Sequence, residues 1–360
     1  MEEALDKQLK VGSNHAKCEH CGGNLIFDPT SQALFCPHCE SKFEFDKNNN
    51  QIKHAINEGK IDVKEERDEW AKDMKVVRCQ NCGAEILITG LDIASNCPYC
   101  GSNYVVDSTS LPGLKPDVVV PFLISKSKAS EVFLKGIKKK FFAPSALKKQ
   151  LPESKIRGIY IPTFTFDSKT ESLYRGVLTK TVTHTNAKGQ TYTTQKSFPI
   201  SGNEKLLHND FVVESSSKMN GKQMNALLPY DFSKTYAYDP NFIRGFAIEH
   251  YVDELSICYD CAKKAIDERI KKSILSHYDY TYVNSLTINT KYFDELYSYR
   301  MLPIYSFEFS YKKKQFLVFM NGQTGKVGTG YPKSPLKITL VVLGIIILVS
   351  LLIFLLIQGS

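Results

Sequence analysis

Cys18-Glu19-His20-Cys21-Gly22-Gly23, answered by Cys36-Pro37-His38-Cys39, decides the first part of the fold. The chain then repeats it as Cys79-Gln80-Asn81-Cys82-Gly83 with Cys97-Pro98-Tyr99-Cys100-Gly101. Eight of the ten cysteines lie in this pattern, and the second block follows the first with a period of 61 residues. A Cys-x2-Cys turn aims two thiolates at one centre, and a second turn 14 residues on completes a tetrahedron. Glycine lets backbone amides fold over the sulfurs, while Pro37 and Pro98 preset the second turn of each block. Two structural zinc sites are therefore expected, held by Cys18, Cys21, Cys36 and Cys39 and by Cys79, Cys82, Cys97 and Cys100. Closed four-sulfur sites leave no position for substrate. Disulfides are the alternative; they require an oxidising compartment and leave the repeated spacing unexplained.

At the other end, Ile338 to Ile357 is a run of 20 residues without a charge, interrupted only by Thr339, Gly344 and Ser350. Such a helix is about 30 Å long, the thickness of a bilayer's hydrocarbon core. Lys326, Lys333 and Lys337 flank it on the N-terminal side and only Gln358, Gly359 and Ser360 follow. By the positive-inside rule residues 1–337 are expected in the cytoplasm, where reduced thiolates also persist. The expectation is a tail-anchored, single-pass protein of the cell membrane. Its first 17 residues lack the apolar core of a secretory signal.

Between these ends the composition is that of a globular protein, 42% hydrophobic and 23% charged, with a formal net charge of +8. That excess suits anionic membranes or nucleic acid, and a solvated surface carries it equally well. The expected organisation is ribbon 1 over 16–46, a charged helical spacer over 47–75 containing Trp70, ribbon 2 over 76–106, and a β-rich α+β domain over 115–335. A polar or helical lead-in occupies 1–15. Strands are expected at Leu25–Phe27, Ala33–Phe35, Phe43–Phe45, Glu85–Thr89 and Tyr104–Val106 in the ribbons. In the larger domain they are expected at Val118–Ile124, Ile159–Asp167, Leu173–Thr185, Thr191–Ile200, Leu302–Tyr311 and Gln315–Asn321.

Ser125 reads as the N-cap of a helix carrying Ala129, Val132, Phe133, Ile137 and Phe141 at helical spacing. Lys126, Lys128, Lys135, Lys138, Lys139 and Lys140 crowd its other faces, suited to lipid or nucleic-acid phosphates or simply to solvent. A second helix is expected from Asp253 to Leu275, with Leu255, Cys258, Ala262 and Ile266 on one apolar face. That pattern makes Cys258 a core residue and leaves Cys261 without a partner knuckle; metal or redox chemistry for this pair is the competing reading.

No catalytic pattern stands out. The histidines are scattered, no His-Glu-x-x-His or Gly-x-Ser-x-Gly motif occurs, and Gly322-Gln323-Thr324-Gly325-Lys326 has the wrong spacing for a phosphate loop. The chain is expected not to be an enzyme.

The two ribbons, followed in order by Pro121–Lys126, Gly158–Pro162, Leu228–Phe232, Gly245–Ala247, Leu302–Tyr305, Asn321–Lys326 and the apolar tail, resemble a known group. These are bacterial YdjG-like membrane proteins with tandem TFIIB-type zinc ribbons, often labelled phage replisome organisers or primosomal helicase relatives. The resemblance implies a membrane-bound zinc protein without catalytic activity, found near envelope-stress scaffolds similar to phage shock protein A and flotillins. Cys258 and Cys261 are not part of that pattern. The expected function is an adaptor whose ribbons and sheet domain recruit cytosolic or membrane proteins to the bilayer. A membrane-associated nucleic-acid-binding protein is the alternative. Against it, Glu19, Asp28, Glu40, Glu44 and Asp46 offset the lysines of ribbon 1.

Overall fold

The computed structural model describes residues 17–49, 51–56, 74–89, 97–102, 114–148, 156–186, 189–328 and 331–358. Three short strands come first: β1 (Ile26–Asp28), β2 (Ala33–Phe35) and β3 (Lys42–Phe43). Next are β4 (His54–Ala55), β5 (Met74–Arg78), β6 (Glu85–Thr89), β7 (Val118–Val119) and helix α1 (Lys126–Lys138). Two long strands follow, β8 (Ile156–Thr185) and β9 (Thr191–Glu214), and then helix α2 (Gly221–Leu227). The chain continues through β10 (Tyr236–Ala237), β11 (Ala247–Glu249), helix α3 (Leu255–Ser276), β12 (Tyr282–Tyr311), β13 (Lys314–Asn321) and helix α4 (Pro335–Gln358). β1–β3 make a small antiparallel sheet, and the other strands among the described residues join one ten-stranded sheet. The α+β class is as expected.

The large sheet is organised by β8 and β12, each 30 residues long. At about 3.3 Å per residue, such a strand extends roughly 100 Å. They pair antiparallel from Ile156 opposite Phe307 to Thr179 opposite Tyr282, with irregularities at Val283/Ser285 and Phe293/Leu296. The free edge of β12 takes β13, β7 and β4 in turn, and that of β8 takes β11 and then β9.

Burial along β8 divides it into two halves. From Ile159 to Phe166 every side chain is buried, the pattern of a strand covered on both faces. From Ser168 onward, Ser168, Thr170 and Ser172 are buried, while Lys169, Leu173 and Arg175 are exposed. This second half forms a three-stranded arm with β9 and the first part of β12. Helix α3 covers one face of it: Ile266, Ile270 and Ile274 pack against Tyr174, Leu206, Phe211, Ile288 and Tyr292.

The break expected between Asp167 and Leu173 is absent, and one strand runs through it. Ser168-Lys169-Thr170-Glu171-Ser172 looks like a loop by composition, yet its hydroxyls face inward, and those of Thr170 and Ser172 bond across the sheet. Thr170 Oγ1 lies 3.1 Å from His208 Nε2 and Ser172 Oγ 2.9 Å from Thr290 Oγ1. Lys169 and Glu171 point outward to Asp294 and Lys205.

At the other end of the sheet, the segments noted in the sequence converge on one aromatic cluster. The Phe122 ring stacks on Phe246 at 4.1 Å and meets Tyr305 at 4.8 Å and Tyr160 at 5.1 Å. Gly158 and Gly322 make room for it: a Cβ at Gly158 would stand 2.4 Å from the Phe246 ring, and one at Gly322 2.5 Å from that of Phe122. The Asn321–Lys326 turn is a clamp. Asn321 Nδ2 donates to the carbonyls of Leu227 and Pro229, and Gln323 exchanges hydrogen bonds with the backbone of Asp231.

Where core and arm meet, one buried charge is met by half-buried ones. Arg300, 0% exposed, donates through Nη2 to Asp210 at 2.6 Å, and its guanidinium lies over the Phe232 ring. Asp167 Oδ1 accepts the Asp210 backbone N–H at 2.6 Å, and Lys53 pairs with Asp167. Burial pulls the Arg300 guanidinium below its usual value, and Asp210 opposes that shift.

Three expectations need correction. The 47–75 spacer is not helical where it is described: β4 lies in its first half and β5 begins at its end. The Val118–Ile124 strand stops at Val119, because Pro121 has no N–H to continue a ladder. Phe141 is not on the helix, which ends at Lys138. Residues 1–15, Trp70 and Tyr104–Val106 lie outside the described residues.

α4 is long and apolar enough to cross a membrane, and none of the Pro335–Leu355 window is buried. The second expected helix is present as α3, with Leu255, Cys258, Ala262 and Ile266 buried as its spacing required.

Candidate metal centres

Each cysteine set closes around a point. In both, the four sulfurs lie within 4.8 Å of one another. Cys18 and Cys39 stand 3.5 Å apart, as do Cys21 and Cys36; the matching distances in the second set are 3.6 Å for Cys79–Cys100 and 3.5 Å for Cys82–Cys97. Sulfurs at about 2.3 Å from a tetrahedral zinc are separated by roughly 3.8 Å, so both cradles fit that ion. They are much too far apart for the ~2.05 Å of a disulfide, and all ten cysteines are free thiols. Two zinc ions, one per set, are the cofactors these residues fit.

The backbone repeats as faithfully as the ligands. Gly22 N–H donates to the Cys18 carbonyl at 2.8 Å and Gly83 N–H to that of Cys79 at 2.7 Å. The second knuckle closes through Glu40 to Cys36 and through Gly101 to Cys97, each at 2.9 Å. Gly101 has φ +74°, and Glu40 adopts the same left-handed conformation at φ 60°.

One repeated pair was missed in the sequence although its signal was present: Ser41 and Ser102 share the 61-residue period. Ser41 Oγ lies 3.2 Å from Cys39 Sγ, and Ser102 Oγ 3.0 Å from Cys100 Sγ and 3.3 Å from Cys79 Sγ. The Ser41 hydroxyl and backbone hold the Cys39 thiol down at about 6. Burial raises Cys100, yet the Ser102 hydroxyl and backbone bring it to about 6. These hydroxyls favour the thiolate that a metal requires. Ser102→Ala is expected to weaken zinc binding at the second site about tenfold, at the low end of outer-shell effects. Competition with a chromogenic chelator measures it, with Ser41→Ala as the matched comparison.

Both centres are built into the larger core. In ribbon 2, β6 pairs with β11, which lies parallel to β8. Tyr99, inside the second knuckle, donates its hydroxyl to the Glu249 carboxylate at 2.5 Å. Glu249 is fully buried and also accepts from Ser216 Oγ, Ser217 N and Ser217 Oγ. Burial raises its carboxyl above the usual range despite these donors. Ser306 Oγ donates to the Pro98 carbonyl at 3.0 Å, and Lys218 Nζ to that of Cys82.

Ribbon 1 is held by side chains and single backbone bonds. Phe27 and Phe45 pack on Phe242, Phe27 N–H donates to the Arg244 carbonyl, and Gln32 Nε2 to that of Phe122. Cys18 and Cys36 are consequently buried, while Cys21 and Cys39 are exposed.

The remaining thiols stand apart from both centres. Cys258 faces the core near the Asp253 carbonyl, and burial pushes its thiol up to about 12. Cys261, one turn further along α3, is exposed. No third group of metal-holding residues occurs among the described residues.

The comparisons with known proteins add a relative and no activity. No family model matches the chain, and no solved structure matches it. The uncharacterized protein YdjG of Bacillus subtilis (strain 168) is 27% identical over 315 residues, covering 86% of this chain and 88% of its own. The chain is thus similar along most of its length to a protein whose description names no function, in keeping with the resemblance carried by the ribbons and the ordered motifs.

Proposed function

We propose that this protein is a non-enzymatic, single-span membrane adaptor. Its zinc-folded sheet domain lies on the cytosolic side and recruits proteins to the bilayer. The observation that carries this reading is the arm. Beyond Phe166 the β8–β9 ribbon continues for roughly 60 Å, with β12 beside it for about the first 40 Å, and α3 covers only one of its faces. The open face combines exposed Leu173, Leu207 and Phe293 with the Lys169, Arg175 and Lys205 side chains, a mixture suited to a protein partner. Two strand edges are also left, because among the described residues Tyr282–Phe293 of β12 and all of β9 pair only with β8. The zinc centres serve by rigidity, fixing the base from which the arm extends. Envelope-stress scaffolds similar to phage shock protein A or flotillins are the partners proposed first.

Affinity purification of the full chain from solubilised membranes, compared with a Leu173→Glu/Leu207→Glu variant, tests this. The expected result is a protein partner captured by the native chain and lost from the variant, with two zinc ions retained in both. Capture of no protein, or an unchanged partner set with the variant, rejects the arm as the recruiting surface. Salt-sensitive nucleic acid as the captured species would support the alternative reading.

A further inference from the structure

The loop after α1 lies against the first turn of α4. Ser334 N–H donates to the Phe142 carbonyl at 2.8 Å, and Lys337 Nζ donates to the carbonyls of Phe141 at 3.2 Å and Ala143 at 2.7 Å. Lys148 Nζ closes the loop onto the Lys138 carbonyl at 3.2 Å. These bonds hold the end of α1 at the level where the charge-free run begins, at Ile338.

What they gather there is positive and unpaired. Between Lys126 and Lys148 the only acid is Glu131. Among the described residues, Lys138, Lys139, Lys140, Lys148, Lys333 and Lys337 form no ion pair. Burial, and then the neighbouring Lys337, hold the Lys148 ammonium below its usual value. Beside them the Phe141 ring is 62% exposed and touches Phe142 edge-on. In water an exposed phenyl ring among lysines gains nothing. At a bilayer surface the ring enters the interfacial layer while the ammonium groups meet phosphates.

We propose that this collar of lysines around the start of α4, with Phe141 as its apolar contact, binds the headgroups of anionic phospholipids. The proposal rests on α4 spanning a bilayer. The collar would seat the sheet domain against the membrane and fix the direction in which the arm points.

The test uses the full chain in neutral detergent, titrated with phosphatidylglycerol or phosphatidylcholine and read by native mass spectrometry. The native chain is expected to bind phosphatidylglycerol more tightly. Each lysine at an anionic surface contributes about fivefold, so Lys138→Gln/Lys139→Gln/Lys140→Gln is expected to lose roughly a hundredfold. Phosphatidylcholine binding should not change. The same three-charge removal on α3, Lys264→Gln/Lys271→Gln/Lys272→Gln, should leave the preference intact. Equal binding of the two lipids by the native chain, an equal loss in the α3 variant, or displacement by excess inorganic phosphate would each overturn the proposal. Carbonate extraction of membranes tests the span separately. Release of the protein would reject the membrane reading itself, whereas retention without lipid preference would reject only the collar.

Discussion

Replacing Cys79 with serine is expected to remove one zinc ion per chain and to lower the melting temperature of the whole sheet domain by more than ~10 °C. Structural zinc contributes on the order of 10 kcal/mol to the folding of small modules, but its loss normally stays within the module. Here it cannot, because β6 of ribbon 2 is hydrogen-bonded to β11 and through it to β8. Releasing the knuckle also withdraws the Tyr99 hydroxyl from Glu249, leaving a buried carboxyl short of a donor. Cys18→Ser makes the internal comparison. It should remove one zinc as well but lower the melting temperature less, since β1–β3 share no ladder with the large sheet. Zinc content by atomic absorption and thermal unfolding by circular dichroism check both variants. Amide exchange at Ala247–Glu249 reports whether the damage crosses from ribbon to core. Loss of zinc from Cys79→Ser with unchanged melting and exchange would show the ribbon to be energetically separate.

Asp210→Asn is expected to cost about 3–5 kcal/mol, the range for breaking a buried ion pair by removing one partner. Arg300 has no exposed surface, and among the described residues its Nε and Nη1 have no hydrogen-bond partner, so its charge rests on the Asp210 contact at 2.6 Å, on the nearby Asp167 and Asp117 carboxylates and on the Phe232 ring. Neutralising Asp210 removes the one hydrogen-bonded carboxylate from a buried guanidinium and leaves it only the longer-range pull of Asp167 and Asp117. Arg300→Met removes that under-compensated charge, so the double variant Arg300→Met/Asp210→Asn should be more stable than Asp210→Asn alone. Chemical denaturation of the three variants measures the coupling. Additive losses would show that the pair is not a unit.

The two metal centres were fully legible because a ligand set fixed by spacing is local, and each set spans only 22 residues. The α4 segment was equally plain, since its signal is a continuous run without charge. The length of β8 and β12 was not. Ser168–Ser172 and Asn284–Lys291 are polar segments whose inward hydroxyls and outward charges become regular only when the opposite strand is in register. The fusion of ribbon 2 with the main sheet was also hidden. β6 and β11 are separated by more than a hundred residues, and the link runs through a glutamate, Glu249, whose burial no local pattern announces. Ser41 and Ser102 were within reach: extending the repeat two residues past its last cysteine would have found them.

The two 30-residue strands also set the order in which the protein can acquire its structure. β8 and β9 meet across a short turn, with Thr185 opposite Thr191, so the arm can zip up as soon as both have been synthesised. β12 pairs with β8 across roughly 100 to 150 positions, a closure that makes folding slow. Until β12 arrives, the Ile159–Phe166 stretch of β8 has no partner along one edge and presents an apolar strand to its neighbours. That partner is made late, followed only by β13 and a short connection before α4. Closure of the sheet and emergence of the apolar helix α4 therefore fall close together in time. Nascent chains halted before Tyr282 are expected to aggregate or to hold chaperones, while chains that have passed Asn321 are not.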